Sequence, residues 1–237
     1  MASQGGRKIV PVPGYSVFLD ATIKDSATRS APAWINLVGN GNNCVWVNDP
    51  LLTREEGKKG YFSIGPQNQY GTMSDLGLGG DFTIIAWVHK LDATSQGYFI
   101  GAGWQTSIQA VNFGVVGLTP TLNSGWGWAQ RQELAAGTID ITNWYHLCAV
   151  KSSGVAYMYV NGELKGSGTF NPGYYNRDAA ATSYIGRSAY DSGNLPFAGT
   201  YYYFYSELGM ILIYNSIALN SSQILDNYNQ TKGKFGR

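Results

Sequence analysis

The sequence predicts an all-β fold in which many short strands build a sandwich or barrel, with a single short helix at the C-terminus. Three observations carry that expectation. Runs rich in β-branched and aromatic residues recur between Gly, Asn and Pro clusters from Tyr15 to Tyr214, the pattern of short strands joined by tight turns. Helical periodicity is missing until the last residues. Composition agrees: 31 Gly and 17 Tyr accompany only 13% charged residues, against roughly 25% in soluble proteins generally.

The strongest strand is Phe82–Val88, which is apolar on both alternating faces and therefore calls for cover on both sides. Val155–Val160, then Asn161-Gly162, then Glu163-Leu164-Lys165 reads as a hairpin, because Asn-Gly supplies the two positive φ angles of a type I′ turn. Trp144–Lys151 is its expected third strand. Near the end Asn220 or Ser221 can cap a helix whose Ile224, Leu225 and Tyr228 share one face, with Gly233 closing it. All-β sandwiches of roughly 200–250 residues commonly form one domain, so the 237 residues divide into an extended arm (1–13), the sandwich (14–219), and a helix and tail packed on the same domain (220–237).

Charge excludes some partners. Sixteen basic against fifteen acidic residues give a net charge of +1, no field for nucleic acid or an anionic membrane. The polar start and the interruptions at Pro11 and Pro13 give no signal-peptide core, and no apolar run reaches membrane-spanning length, so a soluble protein is expected. Cys44 and Cys148 stand far apart in strand-like segments without metal-ligand spacing; buried free thiols are the simplest reading. His89 and His146 are too few for a three-histidine metal site and read as structural. Gly77-Leu78-Gly79-Gly80 precedes a strand, so it is a turn and not a phosphate loop.

In order along the chain, Phe82–Val88 resembles an "FTISAWV" strand, Trp144–Val150 a "WHHVAV" strand and Tyr157–Gly162 an "LYVNG" hairpin. Together these resemble the laminin-G-like jelly rolls of the concanavalin A-like lectin/glucanase superfamily. The flanks Val17–Ala21, Trp34–Asn43, Gly60–Ser63 and Ile213–Gly233 resemble a subgroup encoded by phages and large DNA viruses. The resemblance implies a two-sheet antiparallel jelly-roll sandwich with a short C-terminal helix. It also implies a particle or appendage component, located in the virion if viral, or a glycan-binding module. Calcium is a possible cofactor of such domains; here Asn36 stands where the family usually has Asp, and Met210 where it has an acid. Thr200–Glu207 is an addition to the usual pattern. The superfamily's glucanases carry E-x-D-x-x-E, which sets two carboxylates about the scissile bond; this chain has no such run, and no enzyme is expected.

Binding residues are sought where aromatic rings neighbour amides and carboxylates, since sugars offer apolar ring faces edged by hydroxyls. Trp104, Trp126, Trp128, Tyr190, Asp191 and Asn194 are the glycan candidates. Tyr201, Tyr202, Tyr203 and Tyr205, on a segment with few charges, are candidates for an interface with other protein subunits. Alternation places Tyr201, Tyr203 and Tyr205 on one face, Tyr202 and Phe204 on the other. The first expectation is a non-catalytic assembly component of a viral or phage particle; the alternative is a lectin-like module for cell-surface glycans, with a glycoside hydrolase a distant third.

Overall fold

A computed structural model describes residues 12–28, 33–54, 59–65, 68–102, 111–124, 132–170, 182–188 and 202–237. Sixteen strands in this part form two eight-stranded antiparallel sheets. The first runs β14 (Glu163–Thr169), β13 (Val155–Val160), β12 (Trp144–Ser152), β7 (Phe82–Lys90), β16 (Ser206–Asn215), β5 (Gly60–Ile64), β4 (Leu51–Arg54), with β1 (Val17–Asp20) also paired to β16. The second runs β11 (Gln132–Ala135), β10 (Thr119–Ser124), β9 (Val111–Val116), β8 (Gln96–Ala102), β15 (Thr182–Ile185), β6 (Tyr70–Ser74), β3 (Cys44–Val47), β2 (Ala33–Trp34).

Alternation divides the first sheet's side chains between two cores. Phe82, Ile84, Ala86, Val88, Leu147, Ala149, Ile211 and Ile213 meet Phe99, Phe113, Leu122 and Ile185 of the second sheet. Ile85, Trp87, Cys148, Val150, Met210 and Leu212 point the other way, into a second core closed by Leu219, Ile224 and Phe235. That double burial explains the uninterrupted apolar run of β7. Both cysteines are free and buried, and burial pushes their thiol pKa values up, so they remain protonated.

The cover over the second core is helix α1 (Ser221–Thr231) and the 3-10 turn after it. Asn220 caps α1 through a capping box: its Oδ1 accepts from the Gln223 amide at 3.0 Å, while Gln223 Oε1 accepts from the Asn220 amide at 2.9 Å. The buried helix face is Ile224, Asn227 and Thr231; Leu225, expected to share it, is 45% exposed. The correction has a polar cause. The strand face beneath carries Trp87 and His146, whose N–H groups donate to Thr231 Oγ1 (2.8 Å) and Asn227 Oδ1 (2.9 Å), so the helix turns those acceptors inward.

The hairpin turn forms as expected, with Asn161 at φ 53° and Gly162 at φ 82°. The described residues of the aromatic segment, 202–205, do not form a strand: β16 begins at Ser206, and Tyr203 makes one isolated bridge to Arg187.

Candidate functional site

The helix and the 3-10 turn cover the central strands on the outer face of the first sheet, and the outer face of the second sheet gathers a different set of side chains. Its composition follows from strand register. Trp46, Met73 and Ile185 face the core, so Tyr70 and Thr72 of β6, Val45 and Val47 of β3, and Tyr184 of β15 face out. Beside them Asn112 and Asn123 alternate with the core residues Phe113 and Leu122.

These side chains form two adjoining groups. In one, the Arg187 guanidinium lies 3.9 Å from the ring centroid of Tyr184 and 4.5 Å from that of Tyr70, a cation held between two π faces. Tyr203 packs on Tyr70 (6.2 Å) and stacks with Tyr205 (6.2 Å, 18°). In the other, Asn123 Nδ2 donates to the Tyr98 hydroxyl at 2.6 Å, Asn112 Nδ2 donates to Asn123 Oδ1 at 3.2 Å, and Tyr202 sets its ring edge against Tyr98 at 6.2 Å. Phe204 turns inward onto Phe99. The segment is held by backbone pairing: Phe204 N–H donates to Gly186 O (2.9 Å) and Ser188 N–H to Tyr202 O (3.1 Å).

A polar rim borders Tyr70. Asn48, Asp49 and Asn68 have φ of 58°, 29° and 55°, the left-handed conformation that Asn and Asp tolerate, and all three are exposed. Asn48 Nδ2 donates to Asn68 O and Gln69 Nε2 to Asp49 O, each at 3.3 Å, which ties the β3–β4 and β5–β6 turns together. Sequence reasoning missed this rim together with Tyr70, Tyr184 and Arg187. The signal was present as Asn68-Gln69-Tyr70, the same amide-beside-aromatic pairing sought elsewhere.

Of the residues chosen from sequence, Tyr202 is 38% exposed, Tyr205 is half-buried and Tyr203 is buried. Tyr203 stacks on Tyr205, but Tyr202 and Phe204, expected on one face, part company: Tyr202 meets Tyr98 and Phe204 meets Phe99, because residues 202–205 lie outside any strand and strand alternation does not govern them. Trp104, Trp126, Trp128, Tyr190, Asp191, Asn194 and Tyr201 lie outside the described residues, as does residue 1–11 of the arm.

Calcium does not fit the two positions named above. Asn36 is buried with its amide fully engaged: Oδ1 accepts from Phe18 N (2.9 Å) and Val38 N (3.2 Å), while Nδ2 donates to Ser16 O (3.3 Å) and Asn40 Oδ1 (3.0 Å). Met210 is fully buried in the second core. Among the described residues no group of three or more His, Cys, Asp or Glu gathers. Asn36→Asp, the family residue, turns a carboxylate oxygen onto two acceptors; we expect it to cost about 3 kcal/mol at neutral pH and to recover in acid as the new carboxyl regains a proton, read by urea denaturation at several pH values.

The two histidines differ electrostatically. His89 lies with Nδ1 2.7 Å from Glu207 Oε2 and Nε2 3.0 Å from Ile141 O, an oxygen at each nitrogen, and the Glu207 bond raises its pKa. His146 is buried, with Asn227 on one nitrogen and no well-formed hydrogen bond to Nδ1 among the described residues, and desolvation lowers its pKa to about 4. The signs are opposite. Stabilisation from His89 is complete below the unfolded pKa, about 6.5, and is lost as pH rises through its folded value. That from neutral His146 is complete above the same unfolded pKa and is lost as pH falls toward about 4. Stability above pH 4.5 should therefore peak near pH ~6.5, with the alkaline limb flattened in Glu207→Gln and the acid limb in His146→Gln.

The architecture, two antiparallel sheets with one helix against an outer face, defines a jelly-roll sandwich. The chain belongs to the concanavalin A-like lectin/glucanases superfamily, whose laminin-G-type family matches residues 56–224. No curated protein matches the chain. Among solved structures it is similar to the binding domain of botulinum neurotoxin DC in complex with SialylT (TM-score 0.65, 12% identity, 92% of this chain and 51% of that). It is similar too to botulinum neurotoxin type C, whose cell entry depends on two ganglioside molecules (TM-score 0.63, 12% identity, 91% and 51%). A third is a Trypanosoma rangeli sialidase (TM-score 0.62, 18% identity, 94% and 33%). The chain thus spans about half of the toxin domains and a third of the sialidase. At these identities the likeness shows the fold. No helix among the described residues is long and apolar enough to cross a membrane.

Proposed function

We propose that this chain is a lectin-like carbohydrate-binding module that does no chemistry of its own. The observation that carries the reading is the outer face of the second sheet, where Tyr70, Tyr202 and Tyr205 expose ring surface beside the rim amides of Asn48, Asn68 and Gln69. Stacked aromatics offer a rigid apolar platform and side-chain amides offer both donors and acceptors for hydroxyls, which is what an uncharged sugar requires. Arg187, Tyr184 and Tyr203 beneath them fix the platform. Trp104, Trp126, Trp128, Tyr190, Asp191 and Asn194 are proposed as further contacts from the loops.

The neurotoxin structures, described with a ganglioside requirement and with SialylT, support glycan binding over particle assembly. That reverses the order of the two readings drawn from sequence.

A glycan array probed with the purified chain tests the proposal. A saturable signal weakened about tenfold or more by Tyr70→Ala or Tyr202→Ala is expected, the scale of losing an aromatic anchor; Trp126→Ala and Trp128→Ala test the loop contacts. Silence across the array from folded protein, joined to concentration-dependent self-association, would return the assembly reading to first place.

A further inference from the structure

The connection that follows β1 turns several peptide carbonyls toward one point, and a single side chain fills it. Arg54, at the end of β4, donates from Nε to Ala21 O at 2.9 Å and from Nη2 to Ala21 O (2.7 Å), Ala27 O (2.7 Å) and Ile23 O (3.1 Å). The fully buried Asp20 carboxylate begins the same loop. Its Oδ1 accepts from the amide and hydroxyl of Thr22 (2.8 and 2.6 Å), and its Oδ2 accepts from Lys234 Nζ at 2.7 Å, which also donates to Thr22 Oγ1 at 3.0 Å.

Three carbonyl oxygens crowded about one point repel one another unless positive charge stands between them. A cluster of carbonyls beside a carboxylate is also the kind of oxygen set that calcium takes. Strand β5 leaves no space to supply the charge from its own side: a Cβ at Gly60 would stand 2.2 Å from Ala21 O. The charge comes from Arg54 in its place, with Lys234 neutralising Asp20 from the far end of the chain. Guanidinium suits the task, since its donors fan out in one plane and it stays charged at any ordinary pH.

We propose that Arg54 is the resident cation of this loop, occupying the place that a hard divalent cation would otherwise take, so that the chain orders residues 20–27 without calcium. The corollary is specific. Emptying the cage by removing the guanidinium leaves an oxygen-lined cavity that accepts calcium.

Thermal melts of the full chain in EDTA and in millimolar calcium chloride, at matched ionic strength, decide the matter for wild type, Arg54→Ala and Arg54→Lys. Wild type is expected to melt at one temperature in both. Arg54→Ala should fall by about 5 °C or more in EDTA and recover at least half of that in calcium but not in sodium chloride, with binding seen by calorimetry. Arg54→Lys, which keeps a cation in the cage, should lose less and ignore calcium; it also serves as the test if the alanine variant does not fold. A wild-type melt that rises with calcium, an alanine variant that calcium does not raise, or a lysine variant as damaged as the alanine one would each overturn the proposal.

Discussion

Trp87→Ala is expected to lower stability by about 4 kcal/mol, the range for truncating a large buried aromatic, and to loosen the C-terminal helix while the two sheets remain paired. The ring is fully buried in the central strand and stands between two layers. Phe235 stacks on it at 4.7 Å and 16°, Tyr228 at 5.9 Å and 22°, and His146 meets it edge-on at 5.5 Å. Its Nε1–H donates to Thr231 Oγ1, whose own hydroxyl donates to Asn227 O. Alanine removes the surface on which the helix and the 3-10 turn rest and leaves a cavity that rings fixed at their backbones cannot collapse to fill. Urea denaturation gives the loss, and faster tryptic cleavage at Lys232 and Lys234 under native conditions gives its location. Trp87→Phe keeps most of the stacking and drops the hydrogen bond, so it should cost about 1–2 kcal/mol. If Trp87→Ala and Trp87→Phe lose the same amount, stacking is not what anchors the helix.

The parts of this fold that sequence made legible are those with local causes. A strand apolar on both faces, an Asn-Gly turn and a capping box each declare themselves within a few residues, and each forms where expected. The buried helix face was misjudged at Leu225 because hydrophobicity cannot reveal that Trp87 and His146, on strands far away in sequence, require Thr231 and Asn227 beneath the helix. Asn68-Gln69-Tyr70 carried a local signal, but the assembly of the candidate site failed to show for the same reason. Tyr70 and Tyr184 meet across Arg187 only through the pairing of β15 with β6, a register that no local pattern encodes. The electrostatics of the two histidines are not legible in the sequence either, because they depend on Glu207 and Asn227, contacts at separations of 118 and 81 residues.

Gly97→Ala is expected to cost about 3 kcal/mol, the upper end of overpacking penalties, and to weaken ligand binding as well. At Gly97 a Cβ would stand 2.5 Å from Tyr203 O and 2.7 Å from Phe204 Cα. Both are backbone atoms, so no rotamer change relieves the contact. The aromatic segment would have to move off β8 as a unit. Its attachments oppose that: Phe204 is fully buried against Phe99, and its amide bonds Gly186. Tyr202 and Tyr203 ride on the same stretch, one touching Tyr98 and the other Tyr70, so displacement unseats the two ring groups of the proposed platform together. Gly137→Ala is the matched control, because its Cβ would meet nothing within 4 Å and only the strain of its positive φ, 58°, is added. The pair separates two effects in one experiment. Gly137→Ala should reduce the melting temperature modestly with glycan affinity intact, whereas Gly97→Ala should reduce both; a Gly97→Ala protein that keeps full affinity would place the ligand away from the tyrosine segment and toward the loops.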